Sequence, residues 1–411
     1  MTGYGGKRLP ETAAVLAVRR GVRAWVAAHG GRVPVVVGLS GGADSLALVA
    51  AAVVEAGAVT AVVVDHGLQE GSAEVAEQAA AQARALGCVA ALVVPVEVGR
   101  DGGVEAAARV ARYAALESVR DGRPVLLGHT LDDQAETVLL GLARGSGGRS
   151  IQGMAAWNPP WGRPLLGVRR AQTMRMCADL GLRTWDDPHN TDSRYTRVRV
   201  RNEVLPLLED VLGGGVAQAL ARTADQLRED GAVLDAAADE LLRAACTTVA
   251  GDDRSILADS VPSAGGSVAR PGAVIDSEGR GVSPNAGPVS AGSGGVAPGA
   301  GAGAPEGEAG ADAELAVLGS GDGDTDRPVL SIEILATAPA ALRRRAVRTW
   351  LVDQGITGLV NAHLLAIDEL VSNWRGQGGV AVGGGGGAHR LVVTREHGTL
   401  TVRVQPRTVA T

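Results

Sequence analysis

Apolar positions along this chain follow two rhythms. Residues 33–39, 59–65, 89–98 and 124–128 are short, nearly unbroken apolar runs and read as strands. Between and after them, residues 44–56, 72–86, 104–119 and 132–143 carry apolar side chains at helical spacing. Strands that are apolar on both faces belong inside a sheet, and regular alternation with helices makes that sheet parallel and covered on both sides. Residues 46–64 are apolar enough to suggest a membrane span, but Glu55 and Gly57 interrupt them, so they read as a buried helix followed by a buried strand. Residues 151–203 are rich in loops and Arg, 205–245 are mostly helical, 339–351 and 363–373 read as helices, and 391–404 read as a short β segment. The predicted fold class is α/β: a parallel doubly wound sheet, then a helical domain, then a small C-terminal α+β segment. The domains expected are 1–204, then 205–250 continuing at 329–380, a low-complexity insert at 251–328, and 381–411.

Composition changes this picture at one place. Residues 251–328 hold 18 Gly in 78 positions, with 12 acids against 4 Arg, a net of −8. They read as an inserted flexible linker. The overall charge of −6 therefore belongs to the insert, the rest of the chain carries +2, and residues 163–201 alone carry +5. An acidic tether of this charge is expected to compete with RNA for basic surface. Aromatics make up 2% with no Phe, so the core must be aliphatic. Lys7 is the one lysine and the other 38 basic residues are Arg, a codon-level bias that lowers the meaning of any single Arg cluster. Cys88, Cys177 and Cys246 stand far apart with no C-x-x-C pair, which argues against a disulfide scaffold, a structural zinc, an iron–sulfur cluster or a cysteine relay. The apolar run at 13–18 is too short for a signal peptide and is followed by Arg19 and Arg20, so a soluble, cytoplasmic protein is expected.

Three loops carry candidate chemistry, and in a parallel sheet of this kind all three fall at the carboxyl edge, where ligands bind. The first strand runs into Ser40, Gly41, Gly42, Ala43, Asp44 and Ser45 and then a helix. Such a loop wraps an anion with backbone N–H groups at a helix start, and Asp44 beside the phosphates suits a Mg²⁺ ion between them. It lacks the lysine of a Walker A loop. The second strand ends in Asp65 and His66. After the fourth strand come Gly128, His129, Thr130, Leu131, Asp132, Asp133, Gln134, Ala135 and Glu136. Asp132 and Glu136 are four apart and share a helix face, a cluster able to hold Mg²⁺ and to handle protons.

The SGGADS loop resembles that of N-type ATP pyrophosphatases. Together with VDHGL and GHTLDDQAET it resembles the tRNA(Ile)-lysidine synthetases. The segments EAAARVARY at 105–113, RPLL at 163–166 and WDDPHNTDSRYTR at 185–197 extend the resemblance, which covers 33–208 well and returns near 339–400. His189 and Val198 stand where that family's pattern more often has Ser and Asn, and the Gly383–Gly387 run replaces a more structured hairpin segment. The resemblance implies an ATP-dependent ligase that adenylates C2 of the cytidine at the first anticodon position of a CAU-anticodon tRNA(Ile). It then joins the ε-amine of free L-lysine to that carbon, releasing AMP and pyrophosphate. It implies ATP and Mg²⁺ as cofactors, tRNA(Ile) and L-lysine as partners, no membrane, and a homodimer as the expected assembly. It places Ser40–Ser45 and Gly128 on pyrophosphate and Asp65 and His66 near adenosine. It puts Asp44 and Asp132 on the metal, with Asp132, His129, Asp133 and Glu136 catalytic. Arg109, Arg112, Arg194, Arg197 and Arg201 are substrate candidates, joined by Arg169, Arg170, Arg199 and Arg343–Arg345 for tRNA phosphates. Trp185 and Tyr195 are expected to be core residues, with stacking on an unpaired base as the other reading. A tRNA thiolation enzyme acting at C2 of a pyrimidine is the alternative activity.

Overall fold

The computed structural model describes residues 9–69, 71–99, 103–145, 147–185, 193–247, 328–383 and 389–406. Residues 251–327 of the expected insert and the segment 186–192 lie outside them.

The chain begins with α1 (Ala13–Ala28) and then alternates: β1 (Val35–Gly38), α2 (Ala43–Glu55), β2 (Val59–Asp65), α3 (Ser72–Leu86), β3 (Ala90–Pro95), α4 (Val104–Val119), β4 (Val125–Leu126) and α5 (Leu131–Arg144). Two short strands follow, β5 (Trp157–Asn158) and β6 (Trp161–Gly162), then α6 (Arg170–Asp179). The sheet order is β3-β2-β1-β4-β6-β5, parallel except for the β5–β6 hairpin at one edge. Both faces of β1 are buried, as the unbroken apolar run requires. Val35 and Val37 join the core beneath α1, α2, α3 and α6, while Val36 joins Leu116, Val125 and Leu127 beneath α4. Burial nearly all round α2 makes it the central helix of its layer and explains the membrane-like run of residues 46–64. No single helix among the described residues is long and apolar enough to cross a membrane.

Helices also stand where the sequence pattern gave none, α1 and α6 among them. The 13–18 run is the first half of α1, whose Arg19 and Arg23 pair with the buried Glu55 of α2. Helix α6 lies inside the stretch expected to be loops, because its mean hydropathy is low and only Thr173, Met176 and Cys177 are buried.

Beyond the sheet, α7 (Thr196–Arg199) widens through Val200–Val204 into α8 (Leu205–Val211) and is followed by α9 (Val216–Ala245). Leu131 and Ala135 of α5 share a small core with Val200, Leu205, Ala217 and Ala221. The C-terminal part contains β7 (Cys246–Thr247), β8 (Val329–Ser331), α10 (Ile332–Thr337), α11 (Ala340–Asp353), α12 (Asn361–Ser372), β9 (Val380–Val382), β10 (His389–Glu396) and β11 (Thr399–Pro406). Its antiparallel sheet runs β7-β8-β11-β10-β9. Leu335, Trp350 and Ile367 from the helices and Val393 and Leu400 from the strands form one core. The strands beyond residue 380 are thus packed with the helices before them, and the glycine run does not prevent a sheet.

Candidate active site

In the order β3-β2-β1-β4 the chain first proceeds to one side of β1 and then crosses to the other. The crevice beyond β1 and β4 is therefore the topological switch point where ligands settle. The loop after β1 turns at Gly41, whose φ of +82° favours glycine. Ser45 closes it: its Oγ accepts from the Ser40 N–H at 3.1 Å and donates to the Gly42 carbonyl at 2.9 Å. Gly42 caps α2 without a side-chain hydrogen bond, so the first N–H groups of the helix remain for an anion. The loop after β4 lies directly against this one. A Cβ on Gly128 would stand 3.1 Å from the backbone of Asp44 and Ser45. Trp185 is not a core residue. It is 41% exposed, and its backbone N–H donates to the Gly41 carbonyl at 2.9 Å.

The carboxylates are fixed by helix capping. Thr130 and Asp133 form a capping box at the start of α5, with the Thr130 N–H donating to Asp133 Oδ2 at 2.7 Å. Asp133 Oδ1 accepts from Arg170 at 2.5 Å and from Arg201 at 3.3 Å. Glu136 is fully buried and receives Arg201 at 2.7 and 3.0 Å and Arg170 at 3.4 Å, with Arg197 at 3.7 Å. Asp44 receives Arg170 Nε at 3.2 Å and the Thr173 hydroxyl. Asp132 receives the Arg170 backbone N–H at 2.7 Å and Arg169 Nε at 3.1 Å. Arg170 thus ties the phosphate loop to α5. The expected shared face of Asp132 and Glu136 is present: both line a cavity of about 160 Å³ with Arg169, Arg170, Arg201 and Glu209.

This network corrects the arginine assignment. Arg169, Arg170, Arg197 and Arg201 were grouped with the tRNA-phosphate candidates, yet all four pair with site carboxylates. A carboxylate buried without a partner would be costly, and these guanidinium groups are the partners. Arg199 pairs with Glu203 one turn along its own helix. Arg343 is buried and bidentate to Asp368 at 2.5 and 3.2 Å, a C-terminal core contact rather than a nucleic-acid one. Arg194 and Tyr195 lie in the turn before α7. The sequence reading missed Thr173, Glu209 and the internal role of the Arg169–Arg170 pair. The only signal for the last was its place just after the RPLL segment.

The electrostatics divide the site in two. Desolvation raises the Asp44 carboxyl, against the pull of Thr173 and Arg170. Burial also opposes the charge on Asp133, but Arg170, His129 and the Thr130 N–H outweigh it and hold the group below the usual carboxylate range. Burial pushes His129 down to about 3, helped by Arg163, Arg109 and Arg112 and opposed by Asp133. His66 is lowered by burial and by Arg112. Both imidazoles are therefore neutral at pH 7, and the Nδ1 atoms of both are enclosed without a hydrogen-bond partner among the described residues. Arg109 stacks over Tyr113 at 4.9 Å on α4, so this helix sets the positive side of the site. Asp65 Oδ1 accepts from the Gly67 N–H at 3.0 Å.

Among the described residues no group of three or more acids, His or Cys is arranged to hold a metal. Asp132 is fully engaged by Arg169 and the Arg170 N–H, which does not suit the metal role expected of it. Both oxygens of Asp44 are engaged too, by the Thr173 hydroxyl and by Arg170 Nε at 3.2 Å, and it is its place at the edge of the phosphate loop that would let it meet a Mg²⁺ carried by phosphates. Burial pushes the Cys88 and Cys177 thiols up to about 12. Neither is a ready thiolate, as the alternative sulfur chemistry would require.

Comparison with known proteins agrees with this geometry. A family profile described as a PP-loop domain matches residues 19–208, and one described as the TilS substrate binding domain matches residues 330–401. A tRNA(Ile)-lysidine synthase from Nocardia farcinica is 56% identical over 96% of this chain and 99% of its own length. The chain belongs to the tRNA(Ile)-lysidine synthase family. A second member, from Rhodococcus erythropolis, is 49% identical over 97% of this chain and 98% of its own. A solved U34-tRNA thiolase from Methanococcus maripaludis aligns at a TM-score of 0.44, with 17% identity over 55% of this chain and 83% of that one. As a lysidine synthase the chain is an ATP-dependent ligase acting on tRNA, and the thiolation alternative is set aside.

Proposed function

We propose that this chain joins free L-lysine, through its ε-amine, to C2 of the cytidine at the first anticodon position of a CAU-anticodon tRNA(Ile). The observation that carries the reading is Arg170, which fastens the start of the phosphate-loop helix, at Asp44, to Asp133 and Glu136. An anion cradle and a charged pair of acids thereby share one crevice. Ser40–Ser45 and Gly128 hold the pyrophosphate moiety of ATP, and Asp44 holds Mg²⁺, which when bound neutralises phosphate charge. Asp132, part-exposed on the cavity wall, meets the lysine ammonium, whose proton must leave before attack, and Asp133 and Glu136 support it through the arginines they hold. His129, neutral in its enclosed position, serves as a hydrogen-bonding group beside the transferring phosphoryl rather than as an acid. His66 and Asp65 face adenosine. Arg109 and Arg112 supply positive charge on the opposite wall, and Arg194 is kept as a tRNA contact. Residues 1–204 perform the chemistry, residues 205–250 with 329–380 hold tRNA, and the homodimer belongs to the same reading.

The test is incorporation of labelled lysine into bulk tRNA in the presence of ATP and Mg²⁺, with AMP release followed in parallel. Lysine- and tRNA-dependent AMP is expected, and Asp133→Asn is expected to lower lysine transfer at least a hundredfold while tRNA still binds. AMP release that ignores lysine but responds to a sulfur donor would overturn the reading.

A further inference from the structure

We infer that Arg149, Arg345 and Arg348 form a binding site for a backbone phosphate of the tRNA, remote from the catalytic crevice. The proposal rests on the reading that tRNA is the substrate.

Three elements meet here. Arg149 lies in the short turn Gly148–Ile151 that follows α5, Asp235 on α9, and Arg345 and Arg348 one turn apart on α11. Arg149 and Arg345 both donate to the same oxygen of Asp235, each at 2.5 Å. Arg348 has no hydrogen-bond acceptor or carboxylate among the described residues, although it is partly buried. Its pKa is lowered by burial and by the positive charge of Arg149. Two guanidinium groups thus share one carboxylate, and a third, Arg348, lies within electrostatic reach of Arg149 with no acid of its own among the described residues. Folded proteins pair buried charge, and an assembly of like charges held together without an anion is costly. Guanidinium forks match phosphate oxygens closely.

The site is also built. Gln152 Nε2 donates to the Leu227 carbonyl at 3.0 Å and Arg228 to the Met154 carbonyl at 2.9 Å, which docks the turn on α9. Gly231 leaves room for Gln152, since a Cβ there would stand 2.4 Å from Nε2. Ser150 packs on Gly141 of α5, nine residues from Asp132. The helical rise puts that about 14 Å along the axis from Asp132 and about 8 Å from Glu136, with the phosphate loop at the other end of α5. The site is thus separate from the nucleotide in the crevice and within reach of another part of the same RNA.

The experiment is tRNA binding across a salt series for the unaltered chain, Arg348→Gln and Asp235→Asn, with melting temperatures alongside. Arg348→Gln is expected to weaken tRNA several-fold and reduce the slope of log affinity against log salt by about one, with no fall in melting temperature and unchanged turnover at saturating tRNA. Asp235→Asn, which removes the competing carboxylate, is expected to tighten tRNA several-fold. An unchanged affinity and slope in Arg348→Gln would overturn the site alone, as would weaker binding in Asp235→Asn. Titration with inorganic phosphate alone separates the two sources of anion: tight phosphate binding lost in Arg348→Gln, with tRNA affinity unaffected, makes the ligand a free anion and also overturns the proposal. If the unaltered chain fails to bind tRNA, the functional reading falls and takes the site with it.

Discussion

Single residues in the crevice owe their behaviour to neighbours far away in sequence. His129 follows β4 directly, yet the arginines that depress it come from α4 and from Arg163. The sign of its effect on stability follows from that depression. The folded state holds it neutral down to about pH 3, whereas in the unfolded chain it protonates near its ordinary 6.5. Its contribution is present above 6.5 and is lost as pH falls below that value, by at most about 1.4 kcal/mol per pH unit. His66 is lowered as well and adds in the same direction. His129→Gln is therefore expected to flatten the fall of melting temperature between pH 6.5 and 4, and an identical pH profile would show that the ring is not held neutral. In the same window lysine transfer should show no ionisation of His129.

Elements position these residues by their ends. Helices α2 and α5 both start at the sheet edge, one with an uncapped glycine that leaves donors open, the other with a Thr130–Asp133 box that closes them. Such caps contribute about 0.5–2 kcal/mol, so the box both stabilises α5 and aims Asp133. Sequence spacing was sufficient for these helices: the expected bounds of α3 and α4 match the observed ones, and those of α2 and α5 differ by one residue at each end. It was insufficient for α6, whose exposed, arginine-rich face carries almost no apolar period. It placed the loops after β1 and β4 on one edge but did not show that their backbones touch. Gly128→Ala would place a methyl 3.1 Å from the Asp44 carbonyl carbon and the Ser45 nitrogen, and backbone has little room to yield. This change is expected to cost about 1–3 kcal/mol of stability. It should also raise the KM for ATP more than the KM for lysine, measured by initial rates; equal effects on the two would argue against a shared cradle.

At the scale of the whole molecule, charge is partitioned in a way that the net value of −6 hides. Residues 251–328 carry −8, and the remainder is slightly basic. Much of the arginine surplus in 163–201 is nevertheless turned inward, onto Asp44, Asp132, Asp133 and Glu136, so it does not make a basic groove by itself. Arg343 is likewise absorbed by Asp368 within the C-terminal core. Deleting Asp252–Arg327 is expected to tighten tRNA binding at low salt and to have little effect at high salt, where such long-range attraction is screened; equal affinity at both salts would show that the acidic segment does not compete.

The sequence by itself determined the parallel sheet, the order of its helices, the phosphate loop and the acid-rich start of α5, because each depends on local spacing: period two or nearly four in apolar positions, glycines where φ is positive, acids at a helix start. It also located the loops on one sheet edge, through the topology that alternation imposes. Only the tertiary structure decided which arginine meets which acid. An ion pair such as Arg170 with Asp44 joins residues 126 positions apart, and no local pattern encodes it. The same holds for Arg149 and Arg345 on Asp235, and for Arg348 left beside them without an acid. Arginine is abundant throughout this chain, so its identity at a position says little. Its partners, fixed by packing and by the cost of burying charge alone, separate the arginines that hold the site together from those that remain for the tRNA.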